Sequence, residues 1–213
     1  MSPEVSPQQF RAADGVADWR LLFDGANVFY RTHSMADGAV LAGTVGALGG
    51  MAEVQAAVDL RADGVTVRLG WYSGLTQQHI SLAQQVSAAA HAAGAVADVS
   101  RLQVVQIAID ALSMPAVVEF WRAVLGYRQR GDEDLFDGRG RGPQLWFQDM
   151  DEPRPQRNRI HVDLSLPHQQ AESRVQAALA AGGTLVRDQA PQCWTLADPE
   201  GNEVDIAAHT DLD

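Results

Sequence analysis

Apolar positions along the chain recur at two spacings, alternate and helical, and together they outline two series of short elements. Leu21-Leu22 and Val28 to Tyr30 are strand-like runs around Asp24-Gly25, a turn pair that predicts a hairpin. From Ser34 to Ala57 the spacing is helical and Ser34 is the expected N-cap, although each interior glycine costs about 1 kcal/mol against alanine. That helix must lean on tertiary packing. Residues 59–72 read as one strand with Val65, Val67 and Leu69 on a common face, and residues 75–94 as a helix capped by Thr76 and stopped by Gly94. Residues 95–101, AVADVSR, read as a linker.

The pattern then restarts. Residues 102–111 predict a strand, 114–127 a helix closed at Gly126, and 132–150 two strands around a loop rich in Gly and Arg. After the polar stretch 151–158 come a strand (159–166), a helix (168–183) and three short strands within 184–208. The second half is thus two successive strand-helix-strand-strand-strand modules. One module alone leaves an open sheet edge, so the two are expected to pair into a curved antiparallel layer around a cleft. The expected fold class is α+β, with domains at 1–97 and 101–213.

Composition narrows the chemistry. A length of 213 residues suits two domains of about 100 residues, and no apolar run approaches the roughly 20 residues of a membrane span. The opening MSPEVSPQQF has neither a basic segment nor an apolar core, so cytoplasmic residence is expected. A formal charge of −11 with no basic stripe disfavours nucleic acid as a partner. Cys193 is the single cysteine, which excludes an internal disulfide and a cysteine zinc cluster; the absence of Lys excludes Schiff-base catalysis.

The segment NRIHVDLSL places His161 within an alternating strand, where it is a metal ligand, a cleft wall or an ordinary residue on a wet sheet face. Side-chain parity groups it. Ile160, Val162 and Leu164 oppose His161, Asp163 and Ser165; Val105, Ile107 and Ile109 oppose Gln106, Ala108 and Asp110; Val204 and Ile206 oppose Glu203 and Asp205. On the strand before residue 150 the polar-parity residues are Gln144, Trp146 and Gln148, whereas Trp194 alternates with Cys193 toward the core. Arg128, Arg130, Arg139 and Arg141 flank the Gly-rich loop, either drawing in an anion or lying in solvent.

Two resemblances extend this reading. The segments WRLLFDG (19–25), VDLR and VTVRL (58–69) and SGLT (73–76) are similar to the pterin-4a-carbinolamine dehydratase family over roughly residues 10–94. Its His-His-Pro signature falls here on Val54, Gln55 and Ala56, none of which exchanges a proton near neutral pH. The resemblance therefore implies an antiparallel sheet with helices and a homo-oligomer, but a scaffold or reshaped pocket rather than 4a-hydroxytetrahydrobiopterin dehydratase activity, with Trp71 and Tyr72 available to stack on a planar ligand. His33 and His79, outside the motif, are expected on the surface.

EFWRAVLGY (119–127), NRIHVDL (158–164) and ADPEGNE (197–203) resemble the vicinal oxygen chelate superfamily, glyoxalase-like branch. That resemblance implies paired βαβββ modules and a divalent-metal slot filled here by Gln106, His161 and Asp205. Gln148 in the fourth slot has only an amide, so the set carries one negative charge where two are usual. The implied function is a lyase, isomerase or cyclase acting on an oxygen-bearing small molecule, with His161 and Asp205 as acid and base and Gln106, Trp146 and Gln148 as further walls. The alternative is a non-catalytic small-molecule binding protein.

Overall fold

A computed structural model describes residues 4–70, 74–153 and 161–209, and the chain divides into two compact units, Met1–Val104 and Val105–Asp213. Trp71 and Tyr72 lie outside the described residues.

The first unit runs α1 (Pro7–Ala12), β1 (Arg20–Leu22), β2 (Gly25–Arg31), α2 (Met35–Gly46), β3 (Ala57–Arg61), β4 (Gly64–Gly70), α3 (Gln77–Ala92) and β5 (Val96–Ala97), followed by a 3₁₀ turn at Val99–Arg101. Its sheet has the order β1-β2-β4-β3, with β5 on β2, and every pairing is antiparallel. Val65, Val67 and Leu69 are fully buried against the helices.

Three sequence expectations change here. The run 59–72 holds the last three residues of β3 and the whole of β4, because the chain reverses before Gly64. A Cβ at Gly64 would stand 2.3 Å from the Tyr30 carbonyl oxygen, so only glycine fits beside β2. The segment read as a linker belongs to this unit: β5 extends the sheet, and the Asp98 N–H donates to the Phe29 carbonyl at 2.9 Å. His79 is 3% exposed rather than superficial. Its Nδ1 accepts from the Thr76 N–H (3.1 Å) at the start of α3, which leaves Nε2 to donate to the Gly70 carbonyl (2.8 Å). The imidazole thus ties a helix N-terminus to the end of β4, a structural task that periodicity does not encode.

α2 ends at Gly46, short of the residue-57 end expected from spacing. Its glycines differ in kind. A Cβ at Gly38 would meet Leu60 Cδ1 at 2.7 Å, so close helix–sheet packing requires it. Gly43 is exposed, with nothing within 4 Å of a Cβ. Gly43→Ala should therefore raise the unfolding free energy by about 0.5–1 kcal/mol, the helix-propensity difference, as read from urea denaturation.

The second unit is two copies of one topology. β6 (Gln106–Ala111), α4 (Met114–Leu125), β7 (Arg128–Arg130), β8 (Asp134–Phe136) and β9 (Gln144–Asp149) form a sheet of order β6-β9-β8-β7. β10 (Val162–Pro167), α5 (His168–Ala180), β11 (Thr184–Gln189), β12 (Cys193–Ala197) and β13 (Glu203–His209) form a second, of order β10-β13-β12-β11. Neither is wholly antiparallel. β6 pairs with β9, and β10 with β13, in parallel, because each first strand leaves through a helix and its partner returns only after an intervening hairpin. The two modules keep separate sheets among the described residues but share one core, in which Phe120 and Trp121 of α4, Val175 of α5 and Trp194 and Ile206 of the second sheet are buried together. No helix among the described residues is long and apolar enough to cross a membrane.

Asp198 joins the pieces of that core. Buried in the β12–β13 turn, it accepts the Trp121 indole N–H (3.0 Å), the Glu200 and Asn202 backbone N–H groups (both 2.9 Å) and the Asn202 amide (2.7 Å). Glu200 then accepts the N–H groups of Leu112 (2.9 Å) and Ser113 (2.6 Å), placing a carboxylate at the start of α4, where the helix dipole favours it.

Candidate functional site

The face of the second sheet away from the core carries the polar side chains. Val162, Val204, Ile206 and Leu196 pack inward, and parity sends Asp163, Asp205 and Thr195 the other way. Register brings them together: Asp163 lies directly opposite Asp205 on the parallel pair β10/β13, and Thr195 of β12 directly opposite Asp205 on its other side. His161 sits just before β10. Its Nε2 is 3.3 Å from Asp163 Oδ1 and 3.6 Å from Asp205 Oδ2, and one ligand atom from each of the three residues lies within 4.8 Å of the others.

The buried Thr195 hydroxyl donates to Asp205 Oδ1, which fixes that carboxylate and leaves Oδ2 toward His161. The group is open rather than enclosed. Side-chain exposure is 46% for His161, 70% for Asp163 and 27% for Asp205.

The remaining sequence candidates lie on the first sheet. Gln106 begins β6, and the residue directly opposite it is Gln144, not Gln148. Gln144 is buried, and its Nε2 has no hydrogen-bond partner among the described residues. Gln148, four pairs further on and opposite Asp110, is exposed. Trp146 is half-buried and donates its indole N–H to Glu133 at 3.4 Å. Among the described residues, no hydrogen bond links Gln106, Trp146 or Gln148 to the His161 group. Asp163 shares a face with His161 by parity but lies outside the ligand slots that the superfamily resemblance implies. Its signal was the i, i+2 spacing, but the register that sets it beside Asp205 is not readable along the chain.

The Gly/Arg loop has its own organiser. Burial pushes the Asp137 carboxyl up, but the N–H groups of Arg139, Arg141 and Gly142, donating to it at 2.8–3.0 Å, bring it below the ordinary carboxylate range. Arg130 is paired with Asp134 at 2.8 Å. This loop is held by its own backbone.

Residues 106–207 match the family model described as "Glyoxalase-like domain". No curated protein matches the chain. Among solved structures, a glyoxalase/bleomycin resistance protein/dioxygenase family enzyme from Burkholderia phytofirmans PsJN is similar at 16% identity and TM-score 0.38, over 50% of this chain and 98% of that one. A glyoxalase/dioxygenase from Nostoc punctiforme is similar at 14% identity and TM-score 0.43, over 55% and 97%. A glyoxalase-related enzyme from Fulvimarina pelagi is similar at 20% identity and TM-score 0.39, over 50% and 88%. None of these comparisons supports the dehydratase resemblance of the first half. The family match supports a glyoxalase-like domain, of the vicinal oxygen chelate type, at residues 106–207.

Proposed function

We propose that the second unit binds a small, oxygen-bearing organic molecule at His161, Asp163 and Asp205, which together hold a divalent metal ion. The observation that supports this most is the spacing of the three donors. An ion with ligand bonds of about 2.1 Å keeps neighbouring donors about 3 Å apart, and the 3.3 and 3.6 Å separations fall close to that value. Charge points the same way. Asp163 adds the second negative charge that Gln106, His161, Asp205 and Gln148 lacked, so a dication is better compensated here than by the set read from the sequence. The side chains fit the ion.

Such an ion, when bound, polarises a carbonyl or hydroxyl oxygen. The chain's own part is to orient and to move protons. Thr195 holds Asp205 in one rotamer, and a ligand on the open face meets the exposed Asp163, whose second carboxylate oxygen, left over by the one-atom donor set, can exchange a proton with a carbon or oxygen of the substrate. This is the chemistry of a lyase or isomerase. Protein purified without chelator should contain close to one divalent metal ion per chain by elemental analysis. Metal-free protein that also takes up none on dialysis would overturn the proposal.

The exposure of His161 and Asp163 favours one second reading, binding without turnover, since acid–base catalysis gains most where water is excluded. Ligand binding with unchanged ligand recovered after prolonged incubation would select it. For the first unit we propose a scaffold or oligomer-forming role. In support, the positions of the dehydratase signature hold a buried Val54 with Gln55 and Ala56.

A further inference from the structure

β11 is the exposed edge strand of the second sheet and its pairing with β12 contains a bulge. Thr184 faces Ala197 and Leu185 faces Leu196, but the next matched pair is Arg187 with Thr195, so Val186 is the extra residue. In unbroken register Arg187 would stand opposite Trp194, whose side chain is buried in the core. The inserted residue transfers Arg187 to the other face. It now lies in one row across the sheet with Thr195, Asp205 and Asp163. Bulges are a recurrent means of re-aiming one side chain beside a site.

Arg187 is exposed and, among the described residues, has no ion-pair or hydrogen-bond partner. Its Cα is two strand spacings, about 10 Å, from that of Asp205, a separation that a small organic molecule bridges. The charge balance gives the guanidinium a role. The chain carries −11, and the two carboxylates of the His161 group are at most offset by a bound dication, so an anionic ligand approaching this face gains from a further cation that meets it. Arg187 presents a planar, permanently charged fork that matches an oxyanion.

From this arrangement we infer that Arg187 is the specificity residue of the site, binding an oxyanion group, carboxylate or phosphate-like, at the far end of a substrate whose reactive end lies at His161. The inference rests on the proposed ligand site and is tested separately from it. Inorganic phosphate and acetate, titrated in turn into the chelator-treated full chain, are followed through the Arg187 Nε–H resonance; Zn2+ is titrated in a separate, phosphate-free sample through the His161 ring resonances. The Arg187 signal should shift saturably with at least one of the anions. Arg187→Gln should weaken that anion at least fivefold, Arg187→Lys by less, and Gln should leave Zn2+ affinity within twofold. An Arg187 signal unmoved by either anion, or anion affinity unchanged in Arg187→Gln, overturns the inference while the Zn2+ arm still reports on the metal site. A Zn2+ arm that fails while the anion arm succeeds removes the metal reading and leaves Arg187 as the oxyanion contact.

Discussion

Asp198→Ala is expected to lower the thermal transition of the second unit by about 15 °C or more, measured by calorimetry. The reason is the number of groups it leaves stranded. Four donors point at this buried carboxylate: the Trp121 indole, two backbone N–H groups of the turn and the Asn202 amide. Removing a charged acceptor from buried donors costs about 3–5 kcal/mol, and for a domain near 100 residues each kcal/mol moves the midpoint by about 4–8 °C. The same turn positions Glu200 at the start of α4, so the damage extends to the helix that carries Phe120 and Trp121. Asp198→Asn, which keeps an acceptor oxygen but loses the charge, should cost less than half as much.

This contact also explains why the FWRAVLGY and ADPEGNE stretches occur in one chain: the tryptophan of the first is hydrogen-bonded to the aspartate of the second. These motifs announce an architecture and leave the reaction open. The part of the fold legible in the sequence is the part written in local spacing. Asp24-Gly25 turns between β1 and β2, Ser34 caps α2, and Gly126 closes α4 in the left-handed conformation. Val65, Val67 and Leu69 alternate inward as strand parity requires.

What was not legible depends on neighbours distant in sequence. The parallel pairing of β10 with β13 is set by which strand returns beside which, and it alone makes Asp163 the partner of Asp205. Likewise Gln144, not Gln148, faces Gln106 because register counts from the paired strand rather than from the motif. His79 looked superficial because a histidine in a polar helix start gives no sign that Gly70 folds back onto it. The extra residue at Val186 is invisible until β12 is laid beside β11.

The second large effect concerns the site itself. His161→Ala should weaken divalent-metal affinity at least a hundredfold, and Asp163→Asn and Asp205→Asn should each weaken it at least tenfold, measured by calorimetric titration. Removing one of three donors loses a coordinate bond and, for the carboxylates, half of the negative charge that offsets the ion. None of the three is in the core, so each variant should keep the wild-type unfolding midpoint within a few degrees. Gln106→Ala and Gln148→Ala, on the other sheet, should leave affinity within about threefold.

The most direct measurement is a Zn2+ titration of uniformly 15N-labelled protein, observing the histidine ring nitrogens through their long-range proton correlations. Saturation near one equivalent, with the Nε2 resonance of His161 displaced and the other five histidines unmoved, is the predicted result. A His161 ring that keeps its metal-free shifts while zinc binds elsewhere, or does not bind at all, would contradict the account.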